Sequence, residues 1–269
     1  MDADVSPAAA PLGAPRAGGS RWRAFGEALR LGESLLLLGI PVLGLVLAGG
    51  GLPAPDVVVL LLAASFLGAA HFYALNDTLG YPLDRHDPGK AQRPLIDGRI
   101  TRGEHLAFTV ALGLLLYAFL ARFAPPAVFG LALGIEAVWM AYEWPGVFLK
   151  RHPVAGTLCT FAGTGFLPFL VGWAFAAPLD GRALSLALWT GAVAAAGQIN
   201  RELVDAEADR RQGVGSTAAW LGPVRAHDAS FAAFAAATAY LAALLALDLA
   251  PAALVIPVAL TLPAQFVLY

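Results

Sequence analysis

The chain has 269 residues, 58% of them hydrophobic and 13% charged, with a formal net charge of −2. A soluble globular enzyme cannot hide that much apolar surface, a disordered scaffold is not so poor in charge, and a near-neutral balance offers no field for nucleic acid. An integral membrane protein remains.

The first 20 residues, rich in Ala, Pro, Gly and Ser, lack the apolar core of a cleaved signal peptide. They open a disordered extension expected to run over 1–29, ahead of a transmembrane domain over 30–269. Apolar runs of spanning length then recur over roughly residues 31–51, 54–75, 104–123, 125–144, 153–176, 184–203, 228–247 and 250–269. Cys159 lies in one of these runs, where a buried inert thiol is expected, and a lone thiol excludes both a disulfide and a thiolate metal site. The fold class expected is an all-α membrane protein, a helical bundle of two parallel four-helix halves around a central cavity.

Eight spans place the connections on alternating sides. One side then receives 15 of the 17 Lys and Arg residues, leaving only Arg122 and Arg182 opposite. By the positive-inside rule the rich side is cytoplasmic, which puts both termini inside. The two long polar segments, 76–103 and 204–227, fall on that side too, and long ordered loops in a compact domain usually carry function.

These segments match one another. The first opens Asn76-Asp77-Thr78-Leu79-Gly80-Tyr81-Pro82-Leu83-Asp84-Arg85, and the second Asn200-Arg201-Glu202-Leu203-Val204-Asp205-Ala206-Glu207-Ala208-Asp209-Arg210. Placing Asp77 on Glu202 puts Gly80 on Asp205 and Asp84 on Asp209. A spacing of three and then four residues lines acids along one helix face, where they repel unless something compensates. Mg²⁺ is the natural counter-charge: it takes few carboxylates directly and is completed by water and substrate phosphate oxygens. Lys90, Arg93 and the Lys150-Arg151 pair supply cations suited to phosphate. Arg99, Arg102 and Arg225 read as topology and headgroup charges.

Together Asn76-Asp77…Asp84, Arg93-Pro94-Leu95…Gly98-Arg99-Ile100-Thr101, Tyr142…Lys150-Arg151 and Asp205…Asp209-Arg210…Gly213…Thr217…Leu221-Gly222 resemble the UbiA superfamily of intramembrane prenyltransferases. The resemblance runs from about residue 30 to the end of the sequence. It implies a bundle with a cavity capped on the cytoplasmic side of the cell (inner) membrane. There Mg²⁺ and the acidic motifs bind an isoprenyl diphosphate, and the prenyl cation passes to an acceptor, often aromatic. Two departures stand out. Gly80 takes the place of the family's middle acid, with Asp87 one turn beyond Asp84 as a substitute, and eight spans are found where the family usually has nine.

On this reading Asp77, Asp84, Glu202, Asp205 and Asp209 serve the metal, while Asn76 and Asn200 orient metal or phosphate. Lys90, Arg93, Lys150 and Arg151 hold the leaving group, and Tyr142 steadies the cation or the diphosphate. Glu136, deep in a span, binds the acceptor or abstracts its proton, since an intramembrane carboxylate is costly and often functional. His71, one turn before the first acids, is expected as a packed histidine, and Trp139 as packing. The partners expected are the two substrates and membrane lipid, with no nucleic acid and no obligate protein partner. Two other readings stay open: a terpene cyclase of the same superfamily, capturing the cation within its own chain, and a secondary transporter.

Overall fold

A computed structural model describes residues 20–49, 53–211, 213–256 and 258. Of the disordered extension expected over 1–29, residues 1–19 lie outside the described residues and Arg21–Ala28 is instead helical; most of the expected span over 250–269 also lies outside the described residues. Among those described, regular structure is helical throughout.

Six of the expected apolar runs are helical over most of their length, and sequence signals explain their ends. Helix α4 (Pro55–Asp84) starts on a proline at its first position, where the missing N–H is harmless. Helix α5 (Arg102–Phe123) opens on a capping box: Glu104 N–H bonds the Thr101 hydroxyl, and the Glu104 carboxylate accepts from Thr101 N–H at 2.9 Å. Helix α6 (Pro126–Glu143) again opens on proline, as does α11 (Pro223–Ala246), which follows Gly222 at φ 79°. Helix α9 runs over Gly181–Arg211, and the short α10 over Thr217–Leu221 joins it to α11. The run expected over 153–176 is three pieces: α7 (Ala155–Thr160), a π-helical turn over Phe161–Phe166 and α8 (Leu167–Ala174).

The first apolar run departs most. It is broken into α1 (Arg21–Ala28), α2 (Leu31–Leu36) and α3 (Gly39–Ala48), with a 44° bend before α3 and Arg30 in the left-handed region at φ 49°. By length and apolarity, four described helical stretches can cross a membrane, or five with the bent pair. The segments expected as loops over 76–103 and 204–227 open instead as the last turns of α4 and α9. Pro82 sits inside α4 without ending it.

Among the described residues the two largest apolar clusters join most of the helices. Phe169 and Trp173 of α8 meet Leu186 of α9 and Leu241 and Leu244 of α11. Leu45 of α3 meets Leu61 of α4, Leu116 and Leu120 of α5 and Val128 of α6. Between the clusters α3 and α8 cross backbone to backbone. A Cβ on Gly172 would lie 1.7 Å from the Pro41 carbonyl oxygen, and one on Gly44 2.1 Å from that of Phe169. Within lipid, where apolar surface has no water to escape, such close backbone approach supplies the packing contact.

Candidate active site

The polar ends of α4 and α9, the turn after α6 and the segment after α4 converge on one cavity of about 680 Å³. From α4 it takes Asn76 and Asp84, and from the following segment Asp87, Lys90 and Arg93. Tyr142 and Glu143 come from α6, Lys150 from the turn after it, and Gln198, Arg201, Glu202, Asp205 and Asp209 from α9. The two acidic segments, distant in sequence, therefore face a common space.

Buried carboxylates need partners, and the first segment supplies its own. Lys90 donates to Asp84 at 2.5 Å. Arg93 bridges both acids, 2.7 Å to Asp77 and 3.1 Å to Asp84. Arg30 stands 3.6 Å from Asp77 on the other side, its guanidinium 4.2 Å above the Tyr73 ring. Asp77 and Asp84 are both buried. On α6, Glu143 accepts from Asn76 Nδ2 at 2.5 Å and from Lys150 at 3.3 Å, while the Lys150 ammonium lies 5.7 Å from the Tyr142 ring centre. The turn at 88–90 is fixed by Asp87, whose side chain accepts from Gly89 N–H at 2.9 Å.

The second segment is held differently. Gln198, one turn earlier on α9, donates to Glu202 at 3.1 Å, and the Ala218 N–H donates to its other oxygen at 3.2 Å. Asp209, beyond the apolar part of α9, is hydrogen-bonded by Ser216; burial pushes its carboxyl above the usual range, against the pull of that bond and of Lys150.

Lys90, Arg93, Asn76, Asp84, Lys150, Tyr142, Glu202, Asp205 and Asp209 thus share one cavity, with Asp77 joined to it through Arg93. Two residues expected there stand elsewhere. Asn200 is exposed, because on α9 it falls between the cavity-lining Gln198 and Arg201, turned off their face. Arg151 is exposed with its guanidinium 4.7 Å from the Phe148 ring centre. Arg99, read as a headgroup charge, bonds Asp97 at 2.7 Å and Glu27 at 2.6 Å and so ties the segment after α4 to α1. Gly80 has the Asp84 carboxylate 3.4 Å from where its Cβ would be, an ordinary contact distance.

Arg30, Glu33, Gln198, Arg201 and Ser216 also line the cavity, and sequence reasoning missed them as site residues. Arg30 had read as a topology charge. Gln198 alone carried a signal, one helical turn before an acid.

Glu136 lies in a second, smaller cavity of about 120 Å³, lined mostly by apolar side chains of α3, α4, α5, α6 and α8. It pairs with His71 Nε2 at 3.2 Å, so His71 is buried but not merely packed. The two cavities share Leu37, Phe72, Trp139 and Thr164 in their walls, and Phe72 and Trp139 stand with ring centres 4.2 Å apart.

The donor set bears on a metal. Among the described residues no three His, Cys, Asp or Glu side chains converge tightly enough to hold an ion unaided. The cavity offers several hard carboxylate oxygens on opposite walls, with cations between. That fits Mg²⁺, which is bound by one or two carboxylates and finished by phosphate oxygens, better than a preformed all-protein cage.

Comparison with known proteins gives a consistent result. A model of the UbiA prenyltransferase family matches residues 37–269. The chain is 31% identical over 208 residues to a digeranylgeranylglyceryl phosphate synthase of Thermococcus kodakarensis, covering 76% of this chain and 71% of that one. It is 26% identical over 215 residues to a 4-hydroxybenzoate octaprenyltransferase of Vibrio campbellii, covering 74% and 70%. Among solved structures it superposes on a UbiA homologue of Archaeoglobus fulgidus bound to DMAPP and Mg²⁺ with a TM-score of 0.78 at 21% identity, covering 91% of this chain and 86% of that one. The structure of that homologue bound to GPP and Mg²⁺ gives 0.76 at 22% identity, with the same coverage.

Proposed function

The chain belongs to the UbiA prenyltransferase family, and we propose that it transfers an isoprenyl group from an isoprenyl diphosphate to a small aromatic or lipophilic acceptor within the membrane. One observation carries the reading. Two acidic helix ends and five cations, Arg30, Lys90, Arg93, Lys150 and Arg201, line one cavity that shares a wall with an apolar one.

The wet cavity takes the diphosphate. Lys90, Arg93 and Lys150 lie where they can hold its oxygens, Arg93 by a bidentate fork and the lysines as point charges. Asp84 on one wall, with Asp77 behind it on Arg93, and Glu202, Asp205 and Asp209 on the other would hold Mg²⁺. When bound, Mg²⁺ neutralises charge developing on the departing diphosphate, which contributes several kcal/mol to such ionisations. Asn76 keeps Glu143 and Lys150 in place. Phe72, Trp139 and Tyr142 turn aromatic surface toward the junction, where π faces favour a cation. The apolar cavity beyond excludes water, so that the acceptor rather than water meets the allylic cation. Glu136 lines it and is assigned to the acceptor.

In this reading α4 and α9 are the equivalent helices of two four-helix halves, supported by their matched acids at one end of the bundle. The distribution of Lys and Arg places that end on the cytoplasmic side of the cell membrane.

The test is direct. Purified protein is incubated with dimethylallyl, geranyl, farnesyl and geranylgeranyl diphosphates and a series of acceptors, with and without Mg²⁺, and products are identified by mass. Transfer is expected only with Mg²⁺. If no donor releases diphosphate in a Mg²⁺-dependent way, the reading is refuted, and hydrocarbon formed without acceptor would assign a cyclase instead.

A further inference from the structure

The acceptor gives up a proton when the prenyl group joins it, and that proton needs a destination in a cavity with mostly apolar walls. We propose that Glu136, held by His71, receives it. The proposal rests on the prenyl-transfer reading.

The geometry fixes the ring first. His71 lies flat against α5, where a Cβ on Gly113 would come within 2.8 Å of its Cε1. Its Nδ1 stands 3.0 Å from the Thr109 carbonyl oxygen, which can only accept, so Nδ1 carries a hydrogen. In the neutral ring Nε2 then holds a lone pair. That lone pair faces the Glu136 carboxylate, 3.2 Å from one oxygen and 3.3 Å from the other. Two lone pairs do not hold such a contact, so it is made with one proton between N and O. The remaining lone pairs of Glu136, which lines the cavity, can take a further proton from a bound acceptor.

The surroundings point to a ligand. The pair lies on an apolar cavity of about 120 Å³. A cavity of about 150 Å³ admits benzene, so this smaller one has room for no more than a single ring. On the same cavity the Ser65 hydroxyl is buried with no hydrogen-bond partner. Such an orphan is costly unless a bound molecule satisfies it. A phenol fits all three features: a flat apolar ring, an oxygen for Ser65 and a proton for Glu136. Glu136 precedes Glu143 by seven residues and His71 precedes Asp77 by six, which sets the pair about 9–10 Å below the acids along its helices, room for a ring between.

The step balances. The bond from prenyl C1 to oxygen breaks and its electron pair leaves with diphosphate. An electron pair of the phenol forms the new bond to C1, and the proton displaced passes to Glu136, and from there to water as product leaves. Glu136 is thus the catalytic residue and His71 a positioning residue.

The experiment uses the full chain with geranyl diphosphate, Mg²⁺ and a series of single-ring phenols including 4-hydroxybenzoate. It reads the ratio of geraniol, formed when water captures the cation, to geranylated phenol. Glu136→Gln is expected to raise that ratio about 100-fold, the lower end of what a general base contributes. His71→Gln should raise it about tenfold, and the double variant should match Glu136→Gln, since the two act as a unit. His71→Gln also gives an independent reading if Glu136→Gln does not fold. A ratio unchanged in either variant, whether total turnover falls or not, overturns the proposal while leaving prenyl transfer standing. Wild-type diphosphate release with no geranylated phenol overturns it as well. Absence of Mg²⁺-dependent release in the wild type instead refutes the transfer reading, and the proton acceptor with it.

Discussion

Arg93 bridges two acids that the proposed reaction assigns to metal, so its removal should push metal binding and catalysis in opposite directions. The guanidinium donates to Asp77 at 2.7 Å and to Asp84 at 3.1 Å. Removing one member of a buried ion pair costs about 3–5 kcal/mol. Here the loss is smaller, because the Arg93 side chain is 25% exposed, Lys90 still holds Asp84 and Arg30 stays 3.6 Å from Asp77. About 1.5–3 kcal/mol, the range for a single charged hydrogen bond, is the reasonable figure. Arg93→Gln frees that much carboxylate charge for a cation. Binding of Mn²⁺, as a probe for Mg²⁺, should therefore tighten at least about tenfold in the donor-free protein, each tenfold being about 1.4 kcal/mol. Transfer should fall about 100-fold or more, since a donor aimed at the leaving group's charge is lost. Electron paramagnetic resonance of Mn²⁺ with detergent-solubilised protein measures the first and initial rates with geranyl diphosphate the second. Equal or weaker Mn²⁺ binding in a folded variant would refute the idea that Arg93 and the metal compete for the same oxygens.

Two further outcomes test placement and packing. Arg151→Gln and Asn200→Ala should change transfer by less than about threefold, whereas Arg201→Gln, which alters the cavity wall, should raise the KM for the diphosphate about tenfold, the effect of about one charged contact; initial-rate kinetics over a donor series decides between them. Gly172→Ala should cost at least about 1–3 kcal/mol, because the added Cβ meets the Pro41 carbonyl oxygen at 1.7 Å. Gly26→Ala, where a Cβ meets nothing within 4 Å, should be neutral or stabilise α1 by about 0.5–1 kcal/mol. Thermal unfolding in one detergent compares the two, and equal stability would overturn the account of the α3–α8 crossing.

What could be read from the sequence follows physical locality. Asp84, Asp205 and Asp209 were recoverable because helix periodicity alone puts them on a face and duplication points to shared use. Lys90 and Arg93 were recoverable because they follow those acids closely. Arg30 was hidden: its contact with Asp77 depends on a break between α1 and α2 that no proline dictates, so it looked like any charge ahead of an apolar run. Asn200 misled in the opposite way. Asn-Arg-Glu echoes Asn-Asp, but the helix turns about 100° per residue, and the match that aligned acids carried the asparagine outside. The bend in the first apolar run was not legible, because hydropathy measures apolarity and is blind to a 44° turn. The His71–Glu136 contact, 65 residues apart on two helices, had no local signature at all.

The shared wall of the two cavities is also a step in permittivity. One side is lined by charges of both signs, acids outnumbering bases, and the other mostly by hydrocarbon, with Ser65, Tyr117, Thr164 and the His71–Glu136 pair. A charge in the wet half is screened by its neighbours, whereas Glu136 acts through a medium in which the same field falls off far less. A cation formed near Asp84 feels two pulls: the acids of that side draw it back, and Glu136, paired with His71, draws it forward. The two oppose each other where Phe72 and Trp139 stand. If the reaction runs as proposed, the rings mark a resting place set by dielectric contrast, and counting charges on either side would misjudge where the reactive carbon waits.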